Sequence, residues 1–111
     1  MPYFLCRLLP PRPSFIADMS GEERALMGAH ARYWGDHLAS GEVVALGPVA
    51  DPKGSWGLAL MDIESEAAAR ALQAEDPVIA SDKGFSYEVL AMPMLALRGA
   101  QFRQPVSSVT P

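Results

Sequence analysis

A four-stranded antiparallel sheet with two helices packed on one face is predicted for this chain by three observations. Four β-prone apolar runs and two helix patterns follow one another in the order β-α-β-β-α-β. Clusters of Pro, Gly, Asp and Ser punctuate every junction. The 111 residues suffice for one modest core and not for two. This order is that of the split βαβ, or ferredoxin-like, α+β fold, whose right-handed crossovers lay both helices on the same sheet face.

The first strand is Tyr3 to Leu9, closed by Pro10-Pro11-Arg12-Pro13, whose fixed φ angles and missing amides cannot extend a ladder. Ser20-Gly21-Glu22-Glu23 then has the spacing of a capping box, so a long helix begins there. Along it, Leu26, His30, Tyr33 and His37 form one stripe, and Met27, Ala31, Trp34 and Leu38 form the stripe beside it. Ser40-Gly41 ends the helix, glycine being the usual left-handed cap. Val43 to Leu46 is the second strand, and Asp51-Pro52-Lys53-Gly54 turns the chain into a third, Trp56 to Ile63, making a hairpin. Ser65 caps a second helix, Glu66 to about Glu75, which Asp76-Pro77 stops. Phe85 to about Leu97 is the fourth strand, with Pro93 placing it at an edge or a bulge. Residues 1–98 are thus expected to form the domain and residues 99–111, without period or much to bury, a flexible and dispensable tail.

The third strand carries apolar residues on both faces, Trp56, Leu58 and Leu60 on one and Ala59, Met61 and Ile63 on the other. Two helices cover one face only. A second copy of the chain is the expected cover for the other, giving a homodimer packed sheet to sheet.

Composition narrows the function. A net charge of −4 without a basic cluster argues against nucleic acid as a partner. Cys6 is the only cysteine, which excludes an internal disulfide and suits a reducing compartment. The N-terminal apolar run is short and ends at Pro10, so neither a signal peptide nor a membrane span is expected, and the cytoplasm is the expected location. No His-x-x-x-His pair, cysteine cluster or carboxylate cage suggests a metal. Gly47, Gly54 and Gly57 precede a strand rather than a helix, so no phosphate loop is indicated and no cofactor is expected.

Several of these pieces occur in a specific order: Tyr3-Phe4-Leu5, then Met19-Ser20-Gly21-Glu22-Glu23-Arg24-Ala25-Leu26-Met27 leading to His30, then Leu46-Gly47-Pro48-Val49-Ala50-Asp51, then Asp76-Pro77-Val78. Together they resemble the YciI-like (YCII-related) family of small dimeric α+β proteins, over Tyr3 to about Met94. The resemblance implies a dimeric α+β barrel and a pocket in which His30 and Asp76 are the polar pair. It departs from the family's habit at Val78, where an aromatic is common, and over Ile79 to Lys83.

Each candidate residue also has a plainer reading. His30, on the margin of the apolar stripe, suits proton transfer beside a carboxylate or a boundary imidazole satisfied by a backbone carbonyl. Asp76 before proline suits a turn, yet a carboxylate at the end of a helix opposes the dipole and hints at another use. Arg7 projects from the sheet face opposite Cys6 and requires a carboxylate or a ligand anion, Trp34 fills core or walls an apolar pocket, and Asp51 is turn chemistry or a ligand contact. Cys6 between Phe4 and Leu8 reads as packing. Two functions follow: a cofactor-free lyase, isomerase or dehalogenase acting on a small organic ligand through His30 and Asp76, or a dimer that senses a ligand or binds a protein without turnover, as in similar proteins that accompany transcription regulators.

Overall fold

The computed structural model describes residues 2–98. The expected tail, 99–111, lies outside the described residues. Strands β1 (Tyr3–Leu9), β2 (Val43–Val49), β3 (Trp56–Asp62) and β4 (Ser86–Met92) form one antiparallel sheet in the order β2-β3-β1-β4. Helices α1 (Phe15–Asp18), α2 (Gly21–Ser40), α3 (Glu66–Ala74) and α4 (Pro77–Ala80) complete the α+β, ferredoxin-like arrangement.

The long helix starts and stops where its local chemistry dictates. Ser20 Oγ accepts from the Glu23 amide at 3.1 Å, and Glu23 Oε1 accepts from the Ser20 amide at 2.8 Å, closing the capping box. Gly41, at φ 95°, supplies the left-handed cap. Glu23 also receives two hydrogen bonds from Arg12, which reaches Asp18 as well. One guanidinium therefore ties the Pro-rich loop to both α1 and α2.

The core lies between the helices and the sheet. Phe4, Cys6, Trp34, Val43, Ala59, Met61, Ile63 and Ala69 are buried together. Val43 pairs with Met61 and Leu46 with Ala59, and the register shift between Val43 and Ala45 is what lets both Val43 and Leu46 face the helices. Cys6 is completely buried, and burial pushes its thiol up to about 11, so it packs as a neutral side chain.

Four expectations need correction. The second strand runs on through Gly47-Pro48 to Val49, because β2 is an edge strand and Pro48 costs no interior ladder bond. The fourth strand stops at Met92, one residue before Pro93, which has no amide to donate. The second stripe of α2 is not uniformly covered: Trp34 is buried, whereas Ala31 and Leu38 are exposed. Finally, Asp76 does not end a helix against its dipole. It begins α4, with an extended backbone (φ −62°, ψ 129°), and a negative charge is favourable at that end.

Candidate functional site

Asp76 is held at the bend between α3 and α4, with Pro77 pre-set at the first helical position. Its Oδ1 accepts from the Val78 amide at 3.0 Å. Its Oδ2 accepts from three side chains: Trp34 Nε1 at 2.8 Å, Tyr87 Oη at 2.6 Å and His30 Nδ1 at 2.8 Å. The two α2 donors are four residues apart and so share a helix face, while Tyr87 comes from the helix side of β4, opposite Leu8.

This carboxylate is entirely buried, and burial alone raises its affinity for a proton. Hydrogen bonds from His30, Tyr87 and Trp34 outweigh that effect and hold Asp76 below the ordinary carboxylate range. An ionised carboxylate only accepts, so His30 Nδ1 must carry its hydrogen. The lone pair of a neutral His30 then resides on Nε2. Tyr87 keeps its proton too: burial, and then the Asp76 charge, push its ionisation far upward.

Beside this cluster is a cavity of about 260 Å³ between α1, α2 and the helix side of the sheet. His30, Trp34 and Tyr87 line it, and Asp76 lies behind them. Its other walls are apolar, with Phe15, Met27, Trp56 and Phe85 prominent. His30 is 18% exposed at its side chain against 0% for Asp76. The imidazole therefore bridges a buried charge and a space large enough for a small organic molecule.

The five residues singled out from sequence divide. His30, Asp76 and Trp34 come together. Arg7 lies on the far sheet face, where it pairs with Glu88 at 3.2 Å and stacks over Trp56 at 4.3 Å. Asp51 performs turn chemistry, accepting from the Lys53 amide at 2.8 Å and from Trp56 Nε1 at 3.1 Å. Neither lines the cavity. His37 is held by Glu42. Sequence reasoning passed over Tyr87, although its place in the inward phase of β4, with Glu88 outward, is a signal: a tyrosine pointing into a core needs a partner for its hydroxyl.

A model of the YCII-related domain matches residues 3–93 of the chain. No curated protein matches it.

Proposed function

The chain belongs to the family of YCII-related domains, and from that premise we propose that it is a cofactor-free small-molecule enzyme of acid–base type, with His30 as the proton-transfer group and Asp76 as its charged support. The observation that carries this reading is the 2.8 Å contact of His30 Nδ1 with an ionised, buried Asp76 at the wall of an apolar cavity. With Nδ1 committed to the carboxylate, Nε2 removes a proton from bound substrate, and Asp76 stabilises the imidazolium that forms. Return of the proton to another substrate atom is isomerisation. Departure of a β-substituent or halide instead completes a lyase or dehalogenase reaction. Trp34 and Tyr87 hold the carboxylate so that its charge stays behind the imidazole rather than in the cavity.

The working unit in this reading is a homodimer joined through the sheet face opposite the helices. Support comes from the composition of that face, where Leu5, Leu58, Leu60 and Leu90 share one side of adjacent strands and Leu90 is 55% exposed.

Deuterium exchange tests the chemistry directly. Lactones, phenols and halogenated aromatics are incubated with the protein in D2O and followed by proton NMR. At least one is expected to show protein-dependent loss of a C–H signal or a new product, abolished by His30→Gln. A second reading, a pocket that binds without turnover, draws on Asp76's structural duty as the cap of α4. Saturable binding across the panel with no exchange and no product would select it.

A further inference from the structure

We propose that the cavity takes a neutral, flat ring compound bearing one hydroxyl or one activated C–H, and that it excludes organic anions. The inference deepens the acid–base reading and rests on it for the identity of the site. Its basis is the charge inventory of the walls. Of the described residues that line the cavity, none is Lys, Arg, Asp or Glu, and His30 and Tyr87 are the titratable ones. Arg24 and Arg32 of α2 are not among the lining residues, and two arginines of neighbouring segments are committed elsewhere. Arg7 faces the other side of the sheet against Glu88 and Trp56, and Arg12 is shared between Asp18 and Glu23.

A ligand carboxylate entering this space would lose its hydration and meet no unpaired cation. His30, even when protonated, is already balanced by Asp76 at 2.8 Å, so the pair presents no net charge to an incoming anion. A neutral ring meets the opposite situation. Phe15, Trp34 and Phe85 offer aromatic faces and edges, Met27 adds a polarisable wall, and His30 supplies one polar contact. The volume of about 260 Å³ limits the ligand to one or two fused rings.

Calorimetric titration of the full chain at neutral pH with 2-naphthol and with 2-naphthoate tests this, since the two share a ring system and differ in charge. 2-Naphthol is expected to bind at least about tenfold more tightly, a difference of about 1.4 kcal/mol. Ala31 is exposed on α2 at the cavity rim, and Ala31→Arg is expected to raise naphthoate affinity relative to that of naphthol. Naphthoate binding as tightly as naphthol to the unaltered protein, binding of neither compound, or a naphthoate affinity indifferent to Ala31→Arg would each overturn the inference. These titrations require no turnover. A protein that prefers naphthol yet exchanges no deuterium with any compound loses the catalytic reading alone, whereas one that exchanges deuterium but prefers naphthoate loses only the charge selectivity.

Discussion

Tyr87 and Asp76, on β4 and at the start of α4, are joined by a 2.6 Å hydrogen bond in which the phenol donates to Oδ2. The contact links the sheet to the segment that supports His30. It also completes a set of three side-chain donors on one oxygen, which is how a fully buried carboxylate remains ionised despite its desolvation.

Tyr87→Phe isolates that hydrogen bond, because the ring and its packing are retained. Loss of one donor to a buried charge is expected to cost about 1–3 kcal/mol. For a domain of this size each kcal/mol lowers Tm by roughly 4–8 °C, so a thermal melt reads it easily. An unchanged Tm would mean that water replaces the phenol without loss.

Acid stability follows from the lowered position of Asp76. A carboxylate that ionises more readily in the folded chain than in the unfolded chain stabilises the fold above its ordinary value of 3.8, and that contribution is lost as pH falls through the lower folded value. Urea unfolding of the wild type is therefore expected to weaken as pH drops below about 4, and the stability gap to Asp76→Asn is expected to shrink over the same range. Glu23 behaves with the same sign: Arg12 first, then the Ser20 amide, hold it down to about 2 from 4.5. Glu23→Gln is expected to flatten the part of the acid transition between those two values. A gap to Asp76→Asn that widened on acidification would contradict the assignment of an ionised Asp76.

His30 and Asp76 are expected to act as one unit on any compound that passes the exchange screen. His30→Gln should lower the rate by about 10²- to 10⁴-fold with the circular dichroism spectrum retained. In Asp76→Asn the amide oxygen can take the place of Oδ2 toward the three side-chain donors, which turns its NH2 toward the Val78 amide. That variant is expected to be less stable as well as slower. The double variant should be little slower than the worse single one, because residues that work together are non-additive. Multiplying rate losses would show that the two act separately.

Much of the fold was legible because its signals are local. The Ser20–Glu23 box, Gly41 and the Asp51–Gly54 turn each place an element boundary by chemistry that needs no tertiary partner. The site was half legible. His30 and Asp76 are paired by the family resemblance and Trp34 is placed by the helix stripe, but α4 is only four residues long, too short for any periodicity, so the sequence makes Asp76 the end of one helix rather than the start of another. Tyr87 escaped because its role depends on which phase of β4 faces inward, and that is decided by pairing with β1. Arg7 leaves a carboxylate partner and a ligand anion both open in the sequence, and the structure pairs it with a carboxylate. Its partner, Glu88, stands opposite it on the adjacent strand, a relation visible only once the register is known.

Self-association is expected to depend on the outer sheet face. Leu60, on that face of β3 between Leu5 of β1 and Ala45 of β2, is the position to challenge. Light scattering at micromolar concentration should give a dimer mass for the wild type and a monomer mass for Leu60→Glu, since an unpaired charge buried in an apolar interface costs several kcal/mol. A wild-type monomer would remove the dimer from the proposed function.

The shape of the cavity's mouth depends on a glycine remote from the reacting groups. Gly54 adopts φ 134°, a conformation that side chains rarely take, and a Cβ there would come within 3.0 Å of Pro13 Cα and 3.1 Å of Pro13 Cβ. Pro13 lies in the loop that runs from Pro10, itself on the cavity wall, to Phe15 at its edge, while Ser55 and Trp56 of the wall directly follow Gly54. The hairpin turn and the Pro-rich loop thus approach each other only because position 54 has no side chain. Gly54→Ala combines backbone strain with a backbone clash that no rotamer change relieves, for an expected loss of about 1–3 kcal/mol. The loop must also shift, carrying Phe15 with it, so 2-naphthol affinity is expected to fall in this variant although the His30–Asp76 contact is untouched. Gly21→Ala, at the exposed start of α2 where an added Cβ meets nothing within 4 Å and away from the cavity lining, is the control and should leave binding close to wild type without loss of Tm. Equal effects of the two substitutions would show that the Pro13 contact does not set the position of the loop.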